Sequence, residues 1–92
     1  MGPEVARLRA VVAGRVQMVG FRVFVLRRAA DLTGTVSNLA DGTVECIVEG
    51  PRAELEALLD DLRQGPPAAR VENVDVHWEA PNGSLPPMRV TV

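Results

Sequence analysis

The segment from Gly14 to Arg22, read as GRVQMVGFR, joins an alternating apolar run to one with helical spacing. Its peptide N–H groups have no strand or helix partner within the segment. The helix that starts near Phe21 adds further free N–H groups and the positive end of its dipole. Such a junction is a natural cradle for a small anion. Arg22 stands in the first turn of that helix, where the dipole disfavours a cation by about 0.3–1 kcal/mol, and an anion shared between helix and side chain accounts for its presence. Asn38 lies three residues before the Asp41-Gly42 pair. If the strand carrying it runs parallel to the strand that feeds the cradle, Asn38 reaches the same sheet edge, and a phosphate-like anion could sit beside a side-chain amide.

The elements that must position these groups are legible in the periodicity. Leu8, Ala10 and Val12 alternate with Arg7, Arg9 and Val11, giving a first strand over residues 7–13. After the two glycines of the loop, Phe21, Phe24, Val25, Ala29 and Leu32 recur at spacings of three and four, the mark of an amphipathic helix that Thr33-Gly34 should end. Val36 to Leu39 reads as a short second strand, and Asp41-Gly42 as a hairpin turn into a third, with Val44, Cys46 and Val48 inward and Ile47 the apolar exception on the outer side. Pro51 suits the first position of a second helix whose stripe is Leu55, Leu58, Leu59 and Leu62, stopped at Gly65-Pro66-Pro67. Val74, Val76 and Trp78 share one face of a fourth strand over residues 71–79. Residues 88–92 form a short last strand at an edge. The order strand, helix, strand, strand, helix, strand predicts an α+β ferredoxin-like sandwich, an antiparallel sheet with two helices on one face, in a single domain over residues 1–92.

Composition narrows the function. A net charge of −2 offers no broad basic surface for a phosphate backbone, and three aromatic residues (Phe21, Phe24 and Trp78) provide little for stacked bases, so no nucleic-acid partner is expected. The ten basic side chains are all arginine, which excludes lysine chemistry and supplies planar forks suited to carboxylate or phosphate. Cys46 is the sole cysteine and, alternating with Val44 and Val48, belongs to the core. His77 has no partner at a recognisable spacing, Asp60-Asp61 reads as a solvated helix face, and no residue set resembles a metal site. No apolar run approaches the roughly 20 residues needed to cross a bilayer, so the expectation is a cytoplasmic monomer with no membrane partner.

Residues Gly14, Val16, Gln17, Val19, Phe21 and Arg22 match the first signature of the acylphosphatases, Gly-x-Val-Gln-Gly-Val-x-Phe-Arg. Gly34, Val36, Asn38, Asp41, Gly42, Val44 and Glu45 match the second, and Glu49-Gly50-Pro51 and Gly65-Pro66 extend the likeness over almost the whole chain. The chain therefore resembles that family. The resemblance implies hydrolysis of acyl phosphates to a carboxylate and inorganic phosphate, without metal or cofactor and with phosphate as a product inhibitor. It also implies that Arg22 and the amides of Arg15, Val16, Gln17, Met18, Val19, Gly20, Phe21 and Arg22 hold the phosphoryl group, while Asn38 positions the attacking water. A mixed anhydride already carries a good leaving group, so charge neutralisation and a placed water suffice.

Met18 stands where the signature has glycine, Thr35 where it has an aromatic residue, and the stretch from Arg22 to Gly34 is slightly short. If residue 18 needs positive φ, methionine strains the cradle. Gln17 reads as holding the loop through stray backbone groups. The alternative to an enzyme is a non-catalytic ferredoxin-like module that binds a small anion or a protein partner.

Overall fold

The computed structural model describes residues 4–91. Seven elements follow one another: β1 (Val5–Arg15), α1 (Phe21–Arg28), β2 (Thr33–Asn38), β3 (Val44–Pro51), α2 (Arg52–Gln64), β4 (Arg70–Glu79) and β5 (Arg89–Thr91). They form one five-stranded sheet in the order β4-β1-β3-β2-β5. Strand β3 pairs antiparallel with both β1 and β2, so β1 and β2 run in the same direction and end on the same edge.

The period-two pattern sets which face is covered. Leu8, Ala10 and Val12 lie opposite Val48, Cys46 and Val44 on β3 and opposite Trp78, Val76 and Val74 on β4. This row faces the helices, where it meets Phe21 and Val25 of α1 and Leu55, Leu58, Leu59 and Leu62 of α2 in one apolar cluster. The core is thus built from Val, Leu and Ala with a single fully buried ring, Phe21. Trp78 at the β4 edge is only partly buried, and the Arg52 guanidinium covers it at 3.7 Å from the ring centre.

Three expectations need correction. The first helix ends at Arg28, not Leu32, and Thr33-Gly34 opens β2 instead of closing the helix. Ala29 and Leu32 are still buried, and Leu32 N–H donates to Ala29 C=O at 2.9 Å. A turn therefore places them under the helix at the spacing a continued helix would have used. Pro51 is the N-cap residue, with Arg52 first in α2. The sheet is mixed, because β5 pairs parallel to β2 through Thr35 with Arg89, Val36 with Val90 and Ser37 with Thr91. Residue 92 of the expected last strand lies outside the described residues.

The connection Ala80 to Pro87 runs from β4 on one edge to β5 on the other, across the face that the helices leave open. Glu49, in the middle of the sheet and 6% exposed, clasps it: its carboxylate accepts from Asn82 N–H at 3.0 Å and Gly83 N–H at 3.1 Å. Arg7 lies 3.6 Å from the same carboxylate, so the buried charge is both paired and hydrogen-bonded. Gly34 N–H donates to Pro86 C=O at 2.7 Å and completes the strap.

Candidate active site

The loop after β1 begins with a bulge. Pairing with β4 shifts between Ala13 and Gly14, so Gly14 lies opposite Val71 and Arg15 opposite Arg70. Gly14 has φ 127°, and a Cβ there would run into Arg70 C=O, so only glycine lets the two backbones approach this closely. Val16 then turns inward, 1% exposed, and anchors the start of the loop in the core.

Gln17 ties the loop to the β2–β3 hairpin. Its Nε2 donates to Leu39 C=O at 2.8 Å and to Thr43 C=O at 3.0 Å, the two carbonyls that flank the turn. The turn is itself held by Asp41, whose carboxylate accepts from Thr43 N–H at 3.0 Å and Thr43 Oγ1–H at 2.6 Å. Those two bonds, the hydroxyl's first, hold the exposed Asp41 carboxyl below its usual pKa.

Met18 adopts φ 62°, the left-handed region that a glycine would occupy without strain. Its side chain is 99% exposed, so it projects into solvent and does not fill the hollow of the loop. Gly20, at φ 79°, is the N-cap of α1; no side chain caps the helix, and no acidic residue lies in its first turn. Phe24 N–H is the first to find a helical partner, Gly20 C=O at 3.0 Å. From Val16 to Val23 no backbone N–H donates to a protein acceptor among the described residues. The result is a run of free donors at a helix N-terminus with nothing negative to answer them.

Two side chains complete the arrangement. Arg22, half-buried in the first turn, has no ion pair or hydrogen bond among the described residues, whereas Arg7, Arg9, Arg28, Arg52 and Arg63 each lie beside a carboxylate. Asn38 closes β2 opposite Val44, immediately before the Leu39 carbonyl that Gln17 grips. Its Oδ1 is buried and unpartnered. An orphaned buried acceptor costs about 1–3 kcal/mol, so the site holds an unanswered acceptor as well as unanswered donors.

The structure thus brings the loop of residues 16–20 against the turn that follows Asn38, with Arg22 in the first turn of α1; Arg15, expected in the loop, is instead the last residue of β1, paired with Arg70. Thr35 lies three residues earlier on β2, opposite Ile47, in the row facing away from the helices. Arg70 stands opposite Arg15 only because of the bulge, which periodicity does not reveal. Among the described residues no group of three or more His, Cys, Asp or Glu side chains gathers, and no helix is long and apolar enough to cross a membrane.

The model of the family described as Acylphosphatase matches residues 8–86. An acylphosphatase of Thermus thermophilus is 51% identical over 74 residues, covering 78% of this chain and 84% of that protein. One from Anaeromyxobacter is 47% identical over 89 residues, covering 95% and 96%. The crystal structure of acylphosphatase from Bacillus subtilis superposes with a TM-score of 0.90 at 32% identity, over 95% of this chain and 99% of that one.

Proposed function

From the premise that this chain belongs to the acylphosphatase family and is an enzyme hydrolysing acyl phosphates, we propose how its own residues carry the reaction. The phosphoryl group lies in the loop between β1 and α1. There it accepts from the free N–H groups of residues 16–22 and from the Arg22 guanidinium. Backbone donors held by Val16, Gln17 and Gly20 are already oriented, so no reorganisation is needed as negative charge spreads over the equatorial oxygens.

Asn38 places the water. Its Oδ1 accepts a hydrogen bond from a water molecule and turns a lone pair of the water oxygen towards phosphorus. As the new O–P bond forms, the bond from phosphorus to the carboxylate oxygen breaks, and that electron pair leaves with the carboxylate. The products are a carboxylate and inorganic phosphate, with a proton released to solvent. A carboxylate leaves readily, so placement and charge neutralisation carry the catalysis and the chain's own groups provide both. Phosphate, sharing the anion site, inhibits as product.

The observation that supports this reading above all is the buried, unpartnered Oδ1 of Asn38 beside a loop of unpartnered amides. The likeness to acylphosphatases favours an enzyme over a binding module, and the outward Met18 leaves the hollow open to an anion. Arg22→Ala tests it. Each charge-assisted hydrogen bond contributes about 1.5–3 kcal/mol, so turnover of acetyl phosphate should drop at least tenfold to a hundredfold, and phosphate inhibition should weaken with it. Retention of both would remove Arg22 from the site.

A further inference from the structure

The phosphoryl loop and Asn38 belong to different elements, and a reaction that needs both needs them at a fixed separation. Among the described residues, one side chain joins the loop to the β2–β3 hairpin by hydrogen bonds. Gln17 Nε2 donates to Leu39 C=O at 2.8 Å and to Thr43 C=O at 3.0 Å, so both hydrogens of that nitrogen are committed to the hairpin. Leu39 follows Asn38 directly in the chain. The grip therefore falls one peptide unit from the side chain that would hold the water.

Neither partner depends on this grip for its own integrity. Thr43 C=O already accepts from Leu39 N–H at 2.8 Å, and Leu39 C=O from Gly42 N–H at 3.1 Å. Asp41 holds Thr43 through its N–H and its hydroxyl. The hairpin thus closes on its own bonds, and without the Gln17 amide neither carbonyl would be orphaned. The loop is secured at its two ends by Val16 and Phe21, each 1% exposed in the core. Between those anchors no backbone N–H donates to a protein acceptor among the described residues, so no main-chain hydrogen bond fixes the loop against the hairpin. What Gln17 adds is the spacing between them.

We propose that Gln17 is a positioning residue for the reaction: it sets the distance from the phosphoryl loop to Asn38, and acts on turnover through Asn38 and not through phosphate binding. This rests on the reading of the loop as the phosphoryl site and of Asn38 as the group that places the water. The donors to the anion belong to the loop and the adjoining turn of α1, whereas Asn38 belongs to β2. Releasing the grip lets one move relative to the other. The anion keeps its donors, while the water loses its alignment with phosphorus, and an error of about 1 Å there can cost about a hundredfold.

The test is a double-mutant cycle on acetyl phosphate hydrolysis with wild type, Gln17→Met, Asn38→Ala and the pair, each assayed below its Tm and titrated with phosphate as inhibitor. Methionine keeps the length and bulk of glutamine and removes both donors. Gln17→Met should lower kcat about tenfold or more, with the phosphate inhibition constant within about threefold of wild type. In the Asn38→Ala background the same substitution should change kcat by less than about twofold, because the water it would misalign is no longer held. Gln17→Asn, an amide one methylene too short to reach both carbonyls, should give the same pattern with a smaller loss, and it carries the cycle if Gln17→Met does not fold. The proposal is overturned by unchanged kcat in Gln17→Met, by equal losses in the two backgrounds, by phosphate affinity falling in step with kcat, or by loss of the folded state in both Gln17 variants. Wild-type turnover in Asn38→Ala alone would refute the placement of the water by that residue, and the proposal with it.

Discussion

Asn38→Ala should separate stability from turnover. The side-chain Oδ1 is buried with no partner, so the folded protein carries a desolvation cost of about 1–3 kcal/mol that the variant escapes. Against this stand the lost packing of a few side-chain atoms, at about 0.8 kcal/mol per methylene equivalent, and a strand-propensity change of no more than about 1 kcal/mol. The terms nearly cancel, leaving a net change within about 1 kcal/mol. For a domain this small that is a shift in Tm of no more than about 4–8 °C. Catalysis has no such offset, because misplacing a reacting water by about 1 Å can cost about a hundredfold. The assay is thermal unfolding alongside steady-state hydrolysis of acetyl phosphate, with phosphate inhibition as the measure of an intact anion site. We expect turnover down about a hundredfold with phosphate affinity and Tm near wild type. A variant that melts more than about 10 °C lower while turning over normally would show that the amide is a structural strut, and the reasoning from its orphaned oxygen would be refuted.

Further outcomes follow from single features. Met18 sits in the left-handed region with its side chain in solvent, so Met18→Gly should match or exceed wild-type stability by up to about 1 kcal/mol. Met18→Val should lower Tm, and calorimetry should find phosphate affinity near wild type in both. The thiol of Cys46 is pushed up to about 12 by burial first and the Glu45 charge second. The chain has no Lys and no Tyr, so this one side chain governs the alkaline limb. Its stabilising contribution is complete below 9.0, the thiol's ordinary value, and declines as pH rises from there towards its folded pKa. Chemical denaturation should reveal that decline, and Cys46→Ala should flatten it. Asp41 has the opposite sign: its lowered pKa gives a contribution present above 3.8 and lost in more acid solution. NMR titration of Thr43→Val should find the Asp41 carboxyl moved back up, since the largest cause of its shift is the Thr43 hydroxyl.

Sequence periodicity located what repeats and missed what depends on partners distant along the chain. The leucine stripe of α2 and the alternation in β1 are visible because each buried face repeats along its own element. Ala29 and Leu32 extend the helical spacing of α1 beyond its real end, since a buried turn satisfies the same spacing. The parallel pairing of β5 leaves no trace in three residues of strand. At the site, Arg22 and Asn38 are legible as residue types within two motifs. The loop-holding role of Gln17 is legible as well, and the structure adds which two carbonyls it grips; the orphaned Oδ1 and the opposition of Arg15 to Arg70 are tertiary facts. The last of these depends on a bulge at Gly14 that no alternation pattern encodes.

The strap over the open face also has a consequence for biosynthesis. As the chain is made from its amino end, β2 gains β3 on one flank soon after Thr43, but its other flank waits for Arg89. The Glu49 clasp likewise waits for Asn82 and Gly83. A nascent chain stalled before residue 80 would therefore display β2, the strand ending in Asn38, as a naked border open to pairing with a neighbouring polypeptide. Completing translation shields that border and gives the strand that ends in Asn38 its second neighbour.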